Sequence, residues 1–231
     1  MRLKAFFTGF FMVVLCTFLM AQTQPTTNAK RERTDMFMVS YNYETLLNFP
    51  DSIRLSPWSR GVGISLMYDH FLAESDRISV GIGFGFYSHN YYTKADIVTS
   101  IDTAGNNFAE FVPFGPGNNI RRHKITRNYF EFPFEIRYRT KPNEKGHSWK
   151  VAAGAKLGYR TNIYSKTITN SGDKYKSFIY PQMSRSRYGV TGRIGYGKVS
   201  VNGYYSLSNL FFEGRGTELT PLSLGVTITL F

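Results

Sequence analysis

The chain has 231 residues, 28 Lys and Arg against 16 Asp and Glu, and a formal net charge of +12. Its single cysteine excludes a disulfide framework and a thiolate metal cluster. Twenty Phe, 16 Tyr and 21 Gly suit strands that are apolar on one face only.

The first 21 residues read as an export signal. Arg2 and Lys4 precede an apolar run from Ala5 to Met20, and the small residue Ala21 closes it. A charged start, an apolar stretch too short to span as a helix and a small residue at the cut are the three parts of a cleaved signal peptide. Cys16 follows Leu15 rather than a small residue, which argues against lipidation. Removing 21 residues and the two basic side chains among them leaves 210 residues with a net charge of +10 and no cysteine. The expected organisation is a signal peptide at 1–21, a periplasmic N-terminal segment at 22–35 and a barrel at 36–231. The basic balance favours anionic partners, and for an exported chain these are lipid phosphates rather than nucleic acid.

Beyond that segment the chain has period two. The first strand alternates Phe37, Val39 and Tyr41 with Met38, Ser40 and Asn42. The second sets Val62, Ile64, Leu66 and Tyr68 against Gly61, Gly63, Ser65 and Met67, and the third sets Ile78 to Phe86 against Ser79 and three glycines. The fourth alternates Phe130, Phe132, Phe134, Ile136 and Tyr138 with Glu131, Pro133, Glu135, Arg137 and Arg139. Four more follow, near 150–159, 187–196, 199–207 and 222–230, giving eight strands.

The connections alternate as well. Those at 44–59, 94–126, 164–184 and 208–220 are long, and those near 73–76, 141–147 and 197–198 are short. Short periplasmic turns, long external loops and an even strand number are the pattern of an outer-membrane barrel. The predicted fold is all-β: an eight-stranded antiparallel up-and-down transmembrane β-barrel. Period alone does not tell inside from outside. The signal peptide and the aromatics near strand ends (Tyr91, Tyr92, Tyr129, Trp149, Tyr159, Tyr196) favour a membrane barrel over a soluble one with an apolar interior.

The stretch from Asn128 through Tyr129-Phe130-Glu131-Phe132-Pro133 to Thr140 resembles the signature strand of the PorT-like outer-membrane β-barrel family of Bacteroidetes-type bacteria. Ala153 to Tyr159, Arg187 to Val190 and Tyr204 to Phe211 are similar to its later segments, with Glu131 and Pro133 the most specific marks. The resemblance covers strands three to eight and only weakly the first 60 residues. It implies an eight-stranded barrel in a family mostly without assigned function, whose namesake is linked to protein secretion. At the C-terminus Phe231 is terminal as such barrels usually are, whereas Thr229 and Thr227 stand where apolar residues are usual.

Glu131, Glu135, Arg137, Arg139, Lys150, Lys156, Arg160 and Arg193 share the polar face and are the expected lumen charge network. Such a set makes either a charged constriction or a salt-bridged plug, and a narrow barrel that must neutralise its buried charges favours the plug. Pro133 lacks an N–H within a strand and predicts a local bulge. Arg121, Arg122, Lys124 and Arg127 surround His123 where the loop between the third and fourth strands re-enters the membrane and are candidate lipid-phosphate contacts, with a solvated loop as the alternative. Leu210, Phe211 and Phe212 make the last loop unusually apolar; packing over the mouth, dipping into lipid and touching a partner are all open. Ser88 and His89 are adjacent and face opposite ways, and no nucleophile, base and orienter come together in the sequence. No phosphate loop, zinc helix or other metal motif occurs, and no cofactor is expected.

These observations point to a non-catalytic outer-membrane barrel with a structural or interaction role. The alternatives are a narrow pore, a component of a secretion or envelope assembly, and a lipid-modifying enzyme. Expected partners are outer-membrane lipid and an envelope or secretion-system protein, not nucleic acid.

Overall fold

The structure is a computed structural model that describes residues 37–230 apart from 51–52, 54, 73–76, 102–104, 116 and 179. The expected signal peptide and N-terminal segment lie outside the described residues.

Eleven strands are present among the described residues: β1 Phe37–Leu47, β2 Arg60–Phe71, β3 Ile78–Tyr92, β4 Ala95–Ile101, β5 Asn107–Pro113, β6 Ile120–Arg139, β7 Trp149–Thr169, β8 Lys174–Ser177, β9 Ser186–Tyr196, β10 Val199–Ser206 and β11 Thr220–Thr229. Eight of them, β1, β2, β3, β6, β7, β9, β10 and β11, pair antiparallel in chain order. The ring closes where β1 meets β11 and where β6 meets β7. Closure removes both sheet edges, so the barrel satisfies its own backbone groups where a bilayer would not.

The expected eight strands are the barrel strands. Three expected loops, 44–59, 94–126 and 164–184, are shorter than their sequence bounds, because β1, β6 and β7 run into them. A strand crosses a bilayer in roughly 9–11 residues, whereas β6 has 20 and β7 has 21. Their upper halves form a wall above the belt. Inside the expected 94–126 loop, β4 and β5 make a separate hairpin, and β8 folds back on β7. The bulge expected at Pro133 is not where the register slips. Pro133 pairs with Lys156 without a shift, and the slips fall at Ile120/Arg122 and Asn128/Tyr129.

Parity settles inside and outside. The apolar set points outward: Val62, Ile64, Phe84, Phe132, Leu157, Val201 and Val226 are all about half exposed on the isolated chain. The polar set points inward, with Ser40, Asn42, Glu131, Glu135, Arg193 and Thr227 buried. A continuous outward apolar belt is what lipid stabilises. Glycines on the inner face make room for large side chains: a Cβ on Gly158 would stand 2.7 Å from Arg187 Cγ, and one on Gly81 2.7 Å from Arg137 Nε. Gly197 opens the two-residue turn between β9 and β10 with φ 60°, a value that glycine adopts without a Cβ clash.

The apolar core lies at the loop end, not in the belt. Tyr91, Phe111, Ile125, Met183, Leu210, Phe211 and Leu219 cluster there with other buried side chains. Of the three possibilities for the apolar last loop, Leu210 and Phe211 take the first and pack over the mouth, 1% and 3% exposed.

Candidate functional site: a closed lumen and its loop-end rim

The lumen holds one connected polar chain across six strands. Ser223 Oγ donates to Glu44 Oε2 at 2.7 Å, and His89 Nδ1 donates to Glu44 Oε1 at 2.8 Å. Arg187 Nη1 lies 2.8 Å from His89 Nε2, which is also 3.5 Å from Glu131 Oε1. The Arg187 guanidinium stands 3.4 Å from Glu131, and Lys156 Nζ stands 3.4 Å from the other oxygen of the same carboxylate. Tyr87, Tyr129 and Tyr204 fill the space between, with Lys156 Nζ 4.3 Å from the Tyr87 ring centre and the Arg187 guanidinium 4.2 Å from that of Tyr204.

A second group lies nearer the turn end. Glu135 takes Arg137 at 2.9 Å and Arg193 at 3.1 Å. Asp69 takes Arg137 at 2.6 Å and Arg139 at 2.5 Å. Beside them, Ser40, Thr227, Asn202 and Asn42 are linked hydroxyl to amide at 2.8–2.9 Å. The gap left among Arg137, Arg139, Lys150 and Arg193 is about 10 Å³, no more than one water needs.

Of the expected lumen residues, Glu131, Glu135, Arg137, Arg139, Lys156 and Arg193 come together in these two groups. Lys150 is half-buried at the turn end. Arg160 lies elsewhere, donating to the carbonyls of Met183 and Ser184 at the loop end. Four members were missed: Glu44, Asp69, His89 and Arg187. Glu44, Asp69 and His89 continue the polar parity of their strands, so extending the alternation by one or two steps would have found them, and Arg187 already stood on the polar face of its strand without being grouped with the others.

The basic cluster divides. Arg121 and Arg122 are exposed and Lys124 half-buried, but Arg127 is 1% exposed. It points inward over the Tyr129 ring at 5.0 Å and is not available to lipid. The reason is parity: β6 carries the alternation upward without interruption from Glu131 through Tyr129 to Arg127.

His123, expected in a loop, is buried on β6. Its Nδ1 lies 2.8 Å from Thr167 Oγ1 and its Nε2 3.5 Å from Asp96 Oδ1. This brings a hydroxyl, an imidazole and a carboxylate together, a grouping that the sequence does not suggest. His123 and Thr167 are directly opposed cross-strand partners, so their bond is one that any such pair makes. The ring is further covered by Phe114 at 5.1 Å. Burial alone would raise the Asp96 carboxyl. His123 beside it, the Ile97 N–H and the Tyr180 hydroxyl outweigh that and hold it below the ordinary carboxylate range. Burial pushes the Tyr180 phenol up to about 12. Among the described residues no group of three or more acidic, His or Cys side chains is arranged to hold a metal ion.

The chain matches the family described as Outer membrane protein beta-barrel domain over residues 20–216. It therefore belongs to that family, and its place is the bacterial outer membrane. No curated protein matches it. Among solved structures it is similar to the crystal structure of Ail, the attachment invasion locus protein of Yersinia pestis. That similarity has 12% identity and a TM-score of 0.34, over 84% of this chain and 96% of that one.

Proposed function

We propose that this member of the outer membrane protein beta-barrel domain family is a closed, non-catalytic barrel that acts through its loop end rather than through its lumen. The observation that carries this reading is the unbroken polar chain from Ser223 to Lys156, with Glu131 1% exposed inside it. A conducting pore needs a continuous aqueous path, and buried ion pairs with the hydrogen-bonded groups beside them fill that path instead. The apolar cap of Phe111, Leu210 and Phe211 covers the upper mouth. The long loops lie outside the cell, and residues 22–35 begin in the periplasm.

Planar-bilayer recording tests the reading. The refolded barrel should give no steady conductance steps, and reproducible channels would refute it. Lipid-hydrolysis and acyl-transfer assays should be negative, and loss of a measured turnover in a Thr167→Val variant would establish catalysis instead.

A PorT-like role is the narrower possibility, in which the barrel is part of a secretion or envelope assembly. The stretch from Asn128 to Thr140, with Glu131 and Pro133, favours it. In the structure Glu131 serves the lumen, so this mark reports barrel packing as readily as pathway. Crosslinking in native envelopes followed by pull-down would identify a protein partner.

A further inference from the structure

A cleft of about 1140 Å³ opens at the loop end between the loop before β2, the top of β3 and the start of β6. Its lining includes Trp58, Arg60, Tyr92, Lys94, Arg121 and Arg122, and among the described residues no carboxylate lines it. Among the described residues Lys94, Arg121 and Arg122 make no ion pair. Arg60 lies 5.8 Å from the centre of the Tyr92 ring. The ion pairs of the lumen show that this chain places carboxylates beside its cations where it neutralises them internally. Here, among the described residues, it places none.

The lower edge of the cleft, at Arg60, has a defined height. Arg60 keeps the outward parity of Val62, Ile64, Leu66 and Tyr68 on β2. Tyr92 keeps that of Phe84 and Phe86, and Arg122 that of Phe130 and Phe132. These cations therefore sit on the lipid side of the wall. Arg60 stands two residues above Val62, about 5 Å along the barrel axis for a strand rising ~3.3 Å per residue with a tilt of about 40°. The polar layer of a bilayer is roughly 5–8 Å deep on each side. Trp58 is 73% exposed beside the cleft, and amphipathic rings collect at that depth.

We propose that this cleft binds the phosphate groups of an outer-leaflet glycolipid, held by Arg60, Lys94, Arg121 and Arg122, with Trp58 packed against the sugar or the acyl boundary. Arginine suits this task because its planar fork meets two phosphate oxygens at once. The proposal rests on the external placement of the loop end and is independent of whether the lumen conducts.

Two tryptophans allow a clean test. Trp149→Phe leaves Trp58 as the only indole reporter, at the far end of the barrel from the change. The full barrel should be refolded into phosphatidylcholine vesicles containing bisphosphorylated lipid A, dephosphorylated lipid A or neither. Lipid retained after transfer to detergent is then counted by native mass spectrometry. Bisphosphorylated lipid A should be retained at least tenfold more than the dephosphorylated form, and should shift the Trp58 emission. Arg121→Gln with Arg122→Gln should remove most of that preference, while heat-modifiable migration in gels shows the barrel still folded. Equal retention of the two lipids, or a preference untouched by the double substitution, would overturn the proposal. A Trp58 shift produced equally by millimolar inorganic phosphate in lipid A-free vesicles would assign the cleft to soluble phosphate and overturn the lipid as its source.

Discussion

Replacing Glu131 by Gln keeps the side chain's size and removes its charge. Lys156 and Arg187 both direct their ion pairs to this carboxylate, each at 3.4 Å. Both sit in a lumen where Glu131 itself is 1% exposed. At an effective dielectric of about 20, one such contact is worth about 5 kcal/mol before desolvation is charged against it. Removing one partner of a buried pair costs about 3–5 kcal/mol net, because the remaining charge stays buried. Glu131→Gln is therefore expected to lower unfolding free energy by about 3–5 kcal/mol, measured by urea titration of the barrel in lipid vesicles. Glu135→Gln should cost less, since Arg137 keeps Asp69 at 2.6 Å. Adding Lys156→Met to Glu131→Gln should recover part of the loss, since the cycle then removes an orphaned cation. A loss below about 1 kcal/mol at Glu131 would refute the view that these charges hold one another in the lumen.

Arg127 should behave in the opposite sense. It is 1% exposed, and its Nε and Nη2 have no hydrogen-bond partner among the described residues, so Arg127→Met should be neutral or stabilising by about 1–3 kcal/mol in the same titration. Val226 faces outward at 43% exposure near the middle of β11, and Val226→Arg should cost about 2–4 kcal/mol in vesicles while Val226→Leu costs almost nothing. Cysteines at Asn107 and Tyr175 on whole cells should react with a membrane-impermeant thiol reagent, and one at Glu144 should not; the reverse labelling would invert the topology. Tyr180 OH donates to Asp96 Oδ1 at 3.1 Å, so Tyr180→Phe should lower amide-exchange protection of β4 and β5 by about 1 kcal/mol. Because Asp96 is held below its ordinary value, its contribution is present above about pH 4 and is lost as pH falls through the lower folded value. Protection of the hairpin, corrected for intrinsic exchange, should fall on that side only.

The belt was legible because two solvents meet there. From Phe130 to Tyr138 every second side chain must satisfy lipid and the others a polar lumen, so β6 prints its period in the sequence. The same strand from Ile120 to Asn128 reads Ile-Arg-Arg-His-Lys-Ile-Thr-Arg-Asn, and no alternation stands out. Beyond the hydrocarbon its outer face meets polar surroundings, so Arg122 and Lys124 are as acceptable outside as Arg127 is inside. The constraint that made the period visible has ended, although the strand has not. The same cause hid the upper part of β7, where the extra residue near Thr161 also changes the inward parity from Arg160 to Ile163. The β4–β5 hairpin was lost for a further reason. Its inner face packs on other loops through Ala95, Ala109 and Phe111, a surface that the folded barrel creates and no short sequence window contains.

The lumen network follows a different logic. Counting polar residues on one face recovered six of its members, because ionic side chains on the inward parity have nowhere else to go. What the count could not give is pairing. Glu131 and Glu135 are two steps apart on β6, yet Glu131 is served by β7 and β9 and Glu135 by β6 and β9. Which cation reaches which carboxylate depends on the stagger between strands and on glycines such as Gly158 that admit Arg187 across the barrel. Stagger is set by closing the ring, so it is a property of all eight strands together. The cleft at the rim has the same origin. Arg60, Lys94 and Arg122 are far apart in sequence and become one positive surface only when β2, β3 and β6 stand side by side. A run of basic residues marked one side of that surface, but the barrel decided that Arg127 would leave it and Arg60 would join.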